Sequence, residues 1–204
     1  MPNTSSPSPS PDRLSRSQVL VAMAITGIVL FVVARVWIHF DQVTLLPVRF
    51  DWPGLIIGVG LGGAIALASA GIYQLWPSYR HAADQYLSLV LTPLLWADIV
   101  WLGLLPGLSE ELLFRGVMLS ALGLNIIALV LSSLCFGVLH MGSLQQWPYV
   151  IWASSVGGVL GWTALTSENL FIPVVAHIVT NWIAGISWKL LHPKREPIQD
   201  KPNP

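Results

Sequence analysis

Glu110, Glu111 and Arg115 lie in one of the most apolar stretches of the chain, residues 108–123. Ionisable groups at membrane depth are expensive, and they are kept where they line a polar cavity or carry function. On a helix, Glu111 and Arg115 are four residues apart on one face, with the acid N-terminal, the favourable orientation for an ion pair. Pairing cancels charge that would otherwise be stranded in low dielectric. Glu110 points about 100° away from its neighbour at 3.6 residues per turn and has no partner in its own segment. A partly desolvated, unpaired carboxylate suits a group that must take up and return a proton. The bland alternative is an interfacial helix with exposed charges, but Leu112, Leu113, Phe114, Val117 and Met118 leave such a helix little solvated face.

Two further segments place histidines in equally apolar settings. Phe136-Gly-Val-Leu-His140 ends on a histidine that, taken alone, reads as an interfacial or packing residue. His177-Ile-Val-Thr-Asn181 is stronger, because His177 and Asn181 share a helix face and can both donate at one point, as stabilising an oxyanion requires. Hydrogen bonding between membrane helices explains the same pair equally well. The case for a reaction centre rests on the three motifs occurring together.

These residues must be positioned by elements that cross a bilayer. The chain has 204 residues, 54% hydrophobic and only 10% charged, where ordinary globular proteins carry about 25% charged residues. This composition predicts an all-α fold, a polytopic membrane helical bundle of six to seven transmembrane helices. Its formal net charge is zero, without the basic stripe that nucleic acid would call for. Cys135, the single cysteine, has no intrachain disulfide partner and reads as a packing residue.

Along the sequence, residues 1–18 form a polar Pro/Ser-rich tail that reads as disordered, 19–85 hold N-terminal transmembrane helices, 86–191 hold the polar motifs, and 192–204 form a polar C-terminal tail. A span takes roughly 20 apolar residues. The candidates are 19–38, 53–76, 86–105, 125–141, 148–166 and 171–191. The Glu110 segment follows Pro106-Gly107, either continuing the third span after a kink or forming a short helix of its own. Arg13 and Arg16 precede the first span, Arg80 follows the second, and Lys189, Lys194, Arg195 and Lys201 lie at or after the end of the last. Placing all of these in the cytoplasm needs an even number of crossings, hence six, with both termini cytoplasmic; Arg35 and Arg49 then fall on the other side. The expected location is the cell (inner) membrane.

Gly58-Val-Gly-Leu-Gly-Gly63 matches a dinucleotide-binding fingerprint, but it sits inside an apolar run with no strand or open loop. Gly54, Gly58, Gly62, Ala66 and Ala70 recur every fourth residue, which makes a small-residue face for close helix packing instead. Gly157 and Gly161 read the same way. Asp98, the remaining intramembrane acid, reads as a supporting partner for Arg115 or a histidine, or as a helix–helix hydrogen bond.

Glu110-Glu111-x-x-x-Arg115, Phe136-x-x-x-His140 and His177-x-x-x-Asn181, in this order, resemble the three signature motifs of the CPBP intramembrane proteases. That family includes the type 2 CAAX prenyl proteases and relatives linked to bacteriocin processing or immunity. The resemblance covers residues 91–191 and extends to Phe114-Arg115-Gly116 and to the Pro173-Val-Val-Ala-His177 lead-in. It implies an endopeptidase that cleaves membrane-associated or prenylated-type peptide or protein substrates among membrane lipids. Glu110 would activate water, His140 would hold that water, His177 and Asn181 would form the oxyanion hole, and Glu111 with Arg115 would be a structural ion pair. Family members are often labelled metalloproteases, so a zinc site of Glu110, His140 and His177 is the alternative to a metal-free centre without cofactor. The zinc-protease His-Glu-x-x-His helix is absent, and Asn181 is a poor zinc ligand. Competing readings of another class are a proton-coupled transporter and a catalytically silent membrane scaffold. The resemblance leaves the oligomeric state open.

Overall fold

The computed structural model describes residues 14–192. The outer parts of both polar tails, with Arg13, Lys194, Arg195 and Lys201, lie outside the described residues. Among the described residues the fold is all-α, with seven helices and no strand. These are α1 (Arg16–Asp41), α2 (Trp52–Leu75), α3 (Pro77–Leu91), α4 (Trp96–Ala121), α5 (Ile126–Val138), α6 (Trp147–Ser167) and α7 (Phe171–Leu191).

The helix starts follow from local chemistry. α1 begins at Arg16, inside the segment read from sequence as tail, because Ser15 and Gln18 form a reciprocal capping box: the Gln18 amide donates to Ser15 Oγ at 3.2 Å, and the Ser15 amide donates to Gln18 Oε1 at 2.7 Å. Asp51 caps α2 through the Gly54 amide, and Asn125 caps α5 through the amides of Ile127 and Ala128.

α1, α2 and α7 are each long and apolar enough to cross a membrane, and α3 with α4 passes the same test as a pair bent by 108°. α5 is apolar but has only 13 residues, about 20 Å at 1.5 Å per residue, short of a hydrocarbon core of about 30 Å. The third expected span, 86–105, is therefore not one helix. The chain breaks at residues 92–95: Thr92 keeps helical angles and donates to the Ser88 carbonyl, and Pro93 then has no backbone donor to continue the ladder. Pro106, expected to mark the kink, lies inside α4, which runs through it.

α7 is the central element and packs against α2, α4 and α6. A Cβ on Gly58 would stand 2.8 Å from Val175 Cβ, and one on Gly62 would stand 2.6 Å from the Ala176 carbonyl oxygen. Gly60 and Gly63, off that face, meet nothing within 4 Å. The every-fourth-residue face is thus where α2 closes on α7. Gly103 and Gly107 do the same for α4, against Trp182 and Ile178. In α6, Gly157 meets Phe136 and Arg115, while Gly161 meets Leu129. Cys135, expected inside the packing, is exposed on α5.

Two knots fix the ends of the bundle. At one end, Arg16 makes two hydrogen bonds to Asp98, of 2.7 and 2.8 Å, and Lys189 donates to the Leu94 carbonyl at 2.5 Å. These tie the start of α1 and the end of α7 to the α3–α4 break. At the other end, Asn169 accepts from the Arg49 amide and donates to the Arg49 carbonyl, while the Leu170 amide donates to the Pro47 carbonyl. The α1–α2 loop is thereby held on the α6–α7 turn.

Candidate active site

The site is built around α4. Its regular α-helical part ends with Glu110 and Glu111, and the next turns, Leu112–Met118, are wound as a π-helix. The wider π turn is rare and tends to accompany functional sites; nothing in the residue spacing announced it. Arg115, within this stretch, still reaches back to Glu111, with Nη1 donating to Oε1 at 2.7 Å.

Glu111 and Arg115 are both fully buried. Arg115 Nη2 donates to the Gly157 carbonyl on α6 at 3.0 Å, and its guanidinium lies 4.3 Å from the centroid of the Phe136 ring. The same Glu111 oxygen, Oε1, also accepts from His177 Nδ1 at 2.7 Å. Glu111 therefore links three helices, α4 and α7 directly and α6 through Arg115. The sequence spacing identified the Arg115 half of this arrangement; the His177 half comes from a residue 66 positions away.

Both histidine tautomers follow from their partners. Because an ionised carboxylate only accepts, the proton between His177 and Glu111 sits on Nδ1. His140 Nδ1 stands 2.9 Å from the Phe136 carbonyl oxygen, again an acceptor, so its proton also sits on Nδ1. Each ring is left with Nε2 facing the site. These two nitrogens flank one oxygen: His140 Nε2 is 3.9 Å and His177 Nε2 is 4.0 Å from Glu110 Oε2. That oxygen is buried and has no hydrogen-bond partner among the described residues. The Glu110 side chain retains 14% exposure and that of His140 17%, against 0% for Glu111. The adjacent glutamates thus occupy different environments, one locked in an ion pair and one facing a cavity.

Asn181 lies one turn after His177 on α7 and donates weakly to the Leu102 carbonyl at 3.4 Å. A cavity of about 360 Å³ between α1, α3, α4 and α7 is lined by Glu110, His140 and Asn181. A second, of about 300 Å³, lies between α2, α3, α6 and α7 and is lined by His140, His177 and Asn181. Their walls are otherwise mostly apolar. All four expected reacting residues are therefore brought to one place by α4, the end of α5, and α7.

Asp98 does not join this group. Its carboxylate takes Arg16 and the Leu95 amide at the α3–α4 break, so it serves the helix break and not Arg115 or a histidine. Two residues that the motifs did not single out do join it. Tyr86 on α3 and Tyr149 on α6 stack with centroids 4.8 Å apart, and lie 6.2 and 6.3 Å from the His140 ring. They come from segments without recognisable spacing, and only the fold reveals them.

A zinc ion ligated at 2.0–2.1 Å holds its tetrahedral ligands roughly 3.3 Å apart. Separations of 3.9 and 4.0 Å from one Glu110 oxygen would force both ligand angles far open. Among the described residues no group of three or more His, Cys, Asp or Glu is placed to hold a metal ion. The residues as arranged do not fit zinc. They do fit a water, since two hydrogen bonds of about 2.8 Å meeting near a right angle span roughly 3.9 Å.

Residues 92–183 match the family model described as Type II CAAX prenyl endopeptidase Rce1-like. The Bacillus subtilis (strain 168) protein "Uncharacterized protein YpbD" is 26% identical over 178 residues, covering 87% of this chain and 88% of the relative. "UPF0177 protein YxdF" of Lactococcus lactis subsp. lactis (strain IL1403) is 31% identical over 91 residues, covering 44% of this chain and 49% of the relative. No solved structure matches the chain. The family match starts at the Thr92 break and ends on α7 just past Asn181, enclosing every residue of the three motifs. Through that segment the chain is similar to the Rce1-like type II CAAX prenyl endopeptidases.

Proposed function

We propose that the protein is an intramembrane endopeptidase that hydrolyses peptide bonds of membrane-associated or prenylated-type substrates with a glutamate-activated water and no resident metal. The observation that carries this reading is the unpartnered, buried Glu110 oxygen flanked by two histidine nitrogens at 3.9 and 4.0 Å. Three acceptors converging on one small volume match a molecule that brings its own protons, which is what a nucleophilic water does.

In this mechanism Glu110 takes a proton from the water as its oxygen attacks the scissile carbonyl carbon. His140 Nε2 accepts the water's other hydrogen and fixes its direction. The carbonyl π pair moves onto oxygen, giving a tetrahedral oxyanion. Asn181 Nδ2, held only weakly at 3.4 Å by Leu102, can turn to donate to it. His177 has its Nδ1 proton on Glu111, so Nε2 donates to the oxyanion only when the ring carries a second proton; the oxyanion is then that cation's counter-charge, because Arg115 already cancels Glu111. Collapse of the intermediate breaks the C–N bond, and Glu110 returns its proton to the departing amine.

We further propose that the bundle sits in the cell membrane with the Arg16, Arg80 and Lys189 end in the cytoplasm. Short cationic flanks gather at the end that holds the α3–α4 break. α1, α2, α4, α6 and α7 then make five passes, and the short α5 with residues 139–146 returns the chain to the cytoplasmic end in place of a sixth helix, with α3 making none.

Glu110→Gln keeps the size of the side chain and removes its ability to accept a proton. Purified in a bilayer, that variant is expected to lose at least about 100-fold in turnover with wild-type folded yield. Full activity in the variant would overturn the assignment of the base. Chelation of the wild-type enzyme is expected to leave turnover unchanged, as measured before and after dialysis against a strong chelator with metal analysis of the product. Loss on chelation with recovery on adding back zinc would contradict the metal-free reading.

A further inference from the structure

The cavity beside Glu110 is largely apolar, and a peptide entering it carries backbone groups that need partners once removed from water. The catalytic residues supply few donors for this. Ser109 Oγ is already spent on the Leu105 carbonyl, and Arg115 is closed off in its ion pair. The tyrosines differ. The chain has four; the phenol of Tyr73 donates to Asp84 at 2.7 Å, and Tyr79 is buried and does not line the cavity beside Glu110. Tyr86 and Tyr149, the two inside the site, have no hydrogen-bond partner for their phenols among the described residues. Both residues are half-buried, so their hydroxyls remain free to donate to a group entering the cavity.

These two rings stack on each other from different helices, and both line the cavity with Glu110, His140 and Asn181. Tyr149 also lines the second cavity, on the far side of His140. Both phenols lie within electrostatic reach of the Glu110 carboxylate. Tyr149, with His140 and Asn181, is shared by both cavities, and the stack carries two phenols that donate to nothing among the described residues.

We propose that Tyr86 and Tyr149 are positioning residues for the substrate: their phenols donate to backbone carbonyls of an extended peptide flanking the scissile bond and hold that bond against Glu110. α3, which is bent by 108° from α4 and lines the cavity, then takes part in binding through Tyr86. The proposal rests on the proteolytic reading above and adds the residues that grip the peptide.

The test is steady-state kinetics of wild type, Tyr86→Phe, Tyr149→Phe and the double variant, each purified in lipid bilayers with one fluorogenic peptide substrate. Phenylalanine keeps the ring stack and removes only the hydroxyl. Each single change is expected to raise KM by roughly three- to tenfold, the worth of one neutral hydrogen bond. The double variant should raise it by about the product of the two, with kcat within about twofold of wild type and folded yield unchanged. A purely structural role would not produce that split between KM and kcat. Unchanged kinetics would overturn the proposal. A fall in kcat at constant KM would also overturn it, by placing the phenols in the transition state, and so would loss of folded yield, by assigning them to the fold. If wild type cleaves no peptide while remaining folded, the proteolytic reading fails and the proposal falls with it. Activity that depends on Glu110 but ignores both hydroxyls sinks the proposal alone.

Discussion

At Glu111, one carboxylate oxygen accepts from both Arg115 and His177 at 2.7 Å. The group is fully buried, so its charge is tolerated only because Arg115 cancels it. Removing the acid in Glu111→Ala leaves the Arg115 cation buried without a counter-charge and frees the His177 ring to rotate. The expected loss of stability is about 3–5 kcal/mol, read as reduced folded yield and a lowered unfolding midpoint in detergent. A variant with wild-type stability would show that the pair is not what holds α4 to α7. Glu110→Gln removes nothing the fold uses, and the contrast between the two neighbours is the signature of the arrangement. Helix periodicity was enough to separate Glu110 from Glu111 and to pair Glu111 with Arg115, because those relations are local. It could not show that Glu111 also orients His177, because that bond joins two helices whose packing no spacing rule encodes. Tyr86 and Tyr149 were hidden for the same reason.

Among the elements, α2 shows how sequence spacing becomes packing. Gly58 and Gly62 sit where α7 approaches within a distance no side chain can share, while Gly60 faces open space. Gly62→Leu is expected to push α2 off α7 and cost at least about 1–3 kcal/mol, the usual range for overpacking. Gly60→Leu should cost nothing and is the matched control in the same unfolding assay. Equal effects at the two positions would contradict the packing face. This face was readable from the four-residue period, as were the approximate limits of α1, α2, α6 and α7 from their apolar runs. The α3–α4 break is not legible in the apolar run, because the chain carries prolines at both Pro93 and Pro106 and only Pro93 falls at the end of α3, while α4 accommodates Pro106. Proline in a membrane helix is tolerated when neighbouring groups re-satisfy the freed backbone, and here the small residues Gly103 and Gly107 let α7 lie close alongside. The π turn after Glu111 had no sequence signature either.

For the whole molecule, composition alone separated a membrane bundle from a soluble fold, since a chain with 10% charged residues has too few to cover a globular surface. Bundle topology then accounts for the site's location. α5 is too short to reach from one end to the other, so His140 at its close stands level with Glu110 in the interior. Residues of α3 line both cavities. The site is therefore set among mostly apolar walls. The central claim is that this interior centre cleaves peptide bonds with Glu110 as the base. The most direct measurement is cleavage of a peptide library by the purified protein in liposomes, with wild type and Glu110→Gln compared at equal folded protein and the products read by mass spectrometry. The account predicts defined cleavage products from wild type and at least about 100-fold less from the variant; equal product from both, or none from a folded wild type, would contradict it.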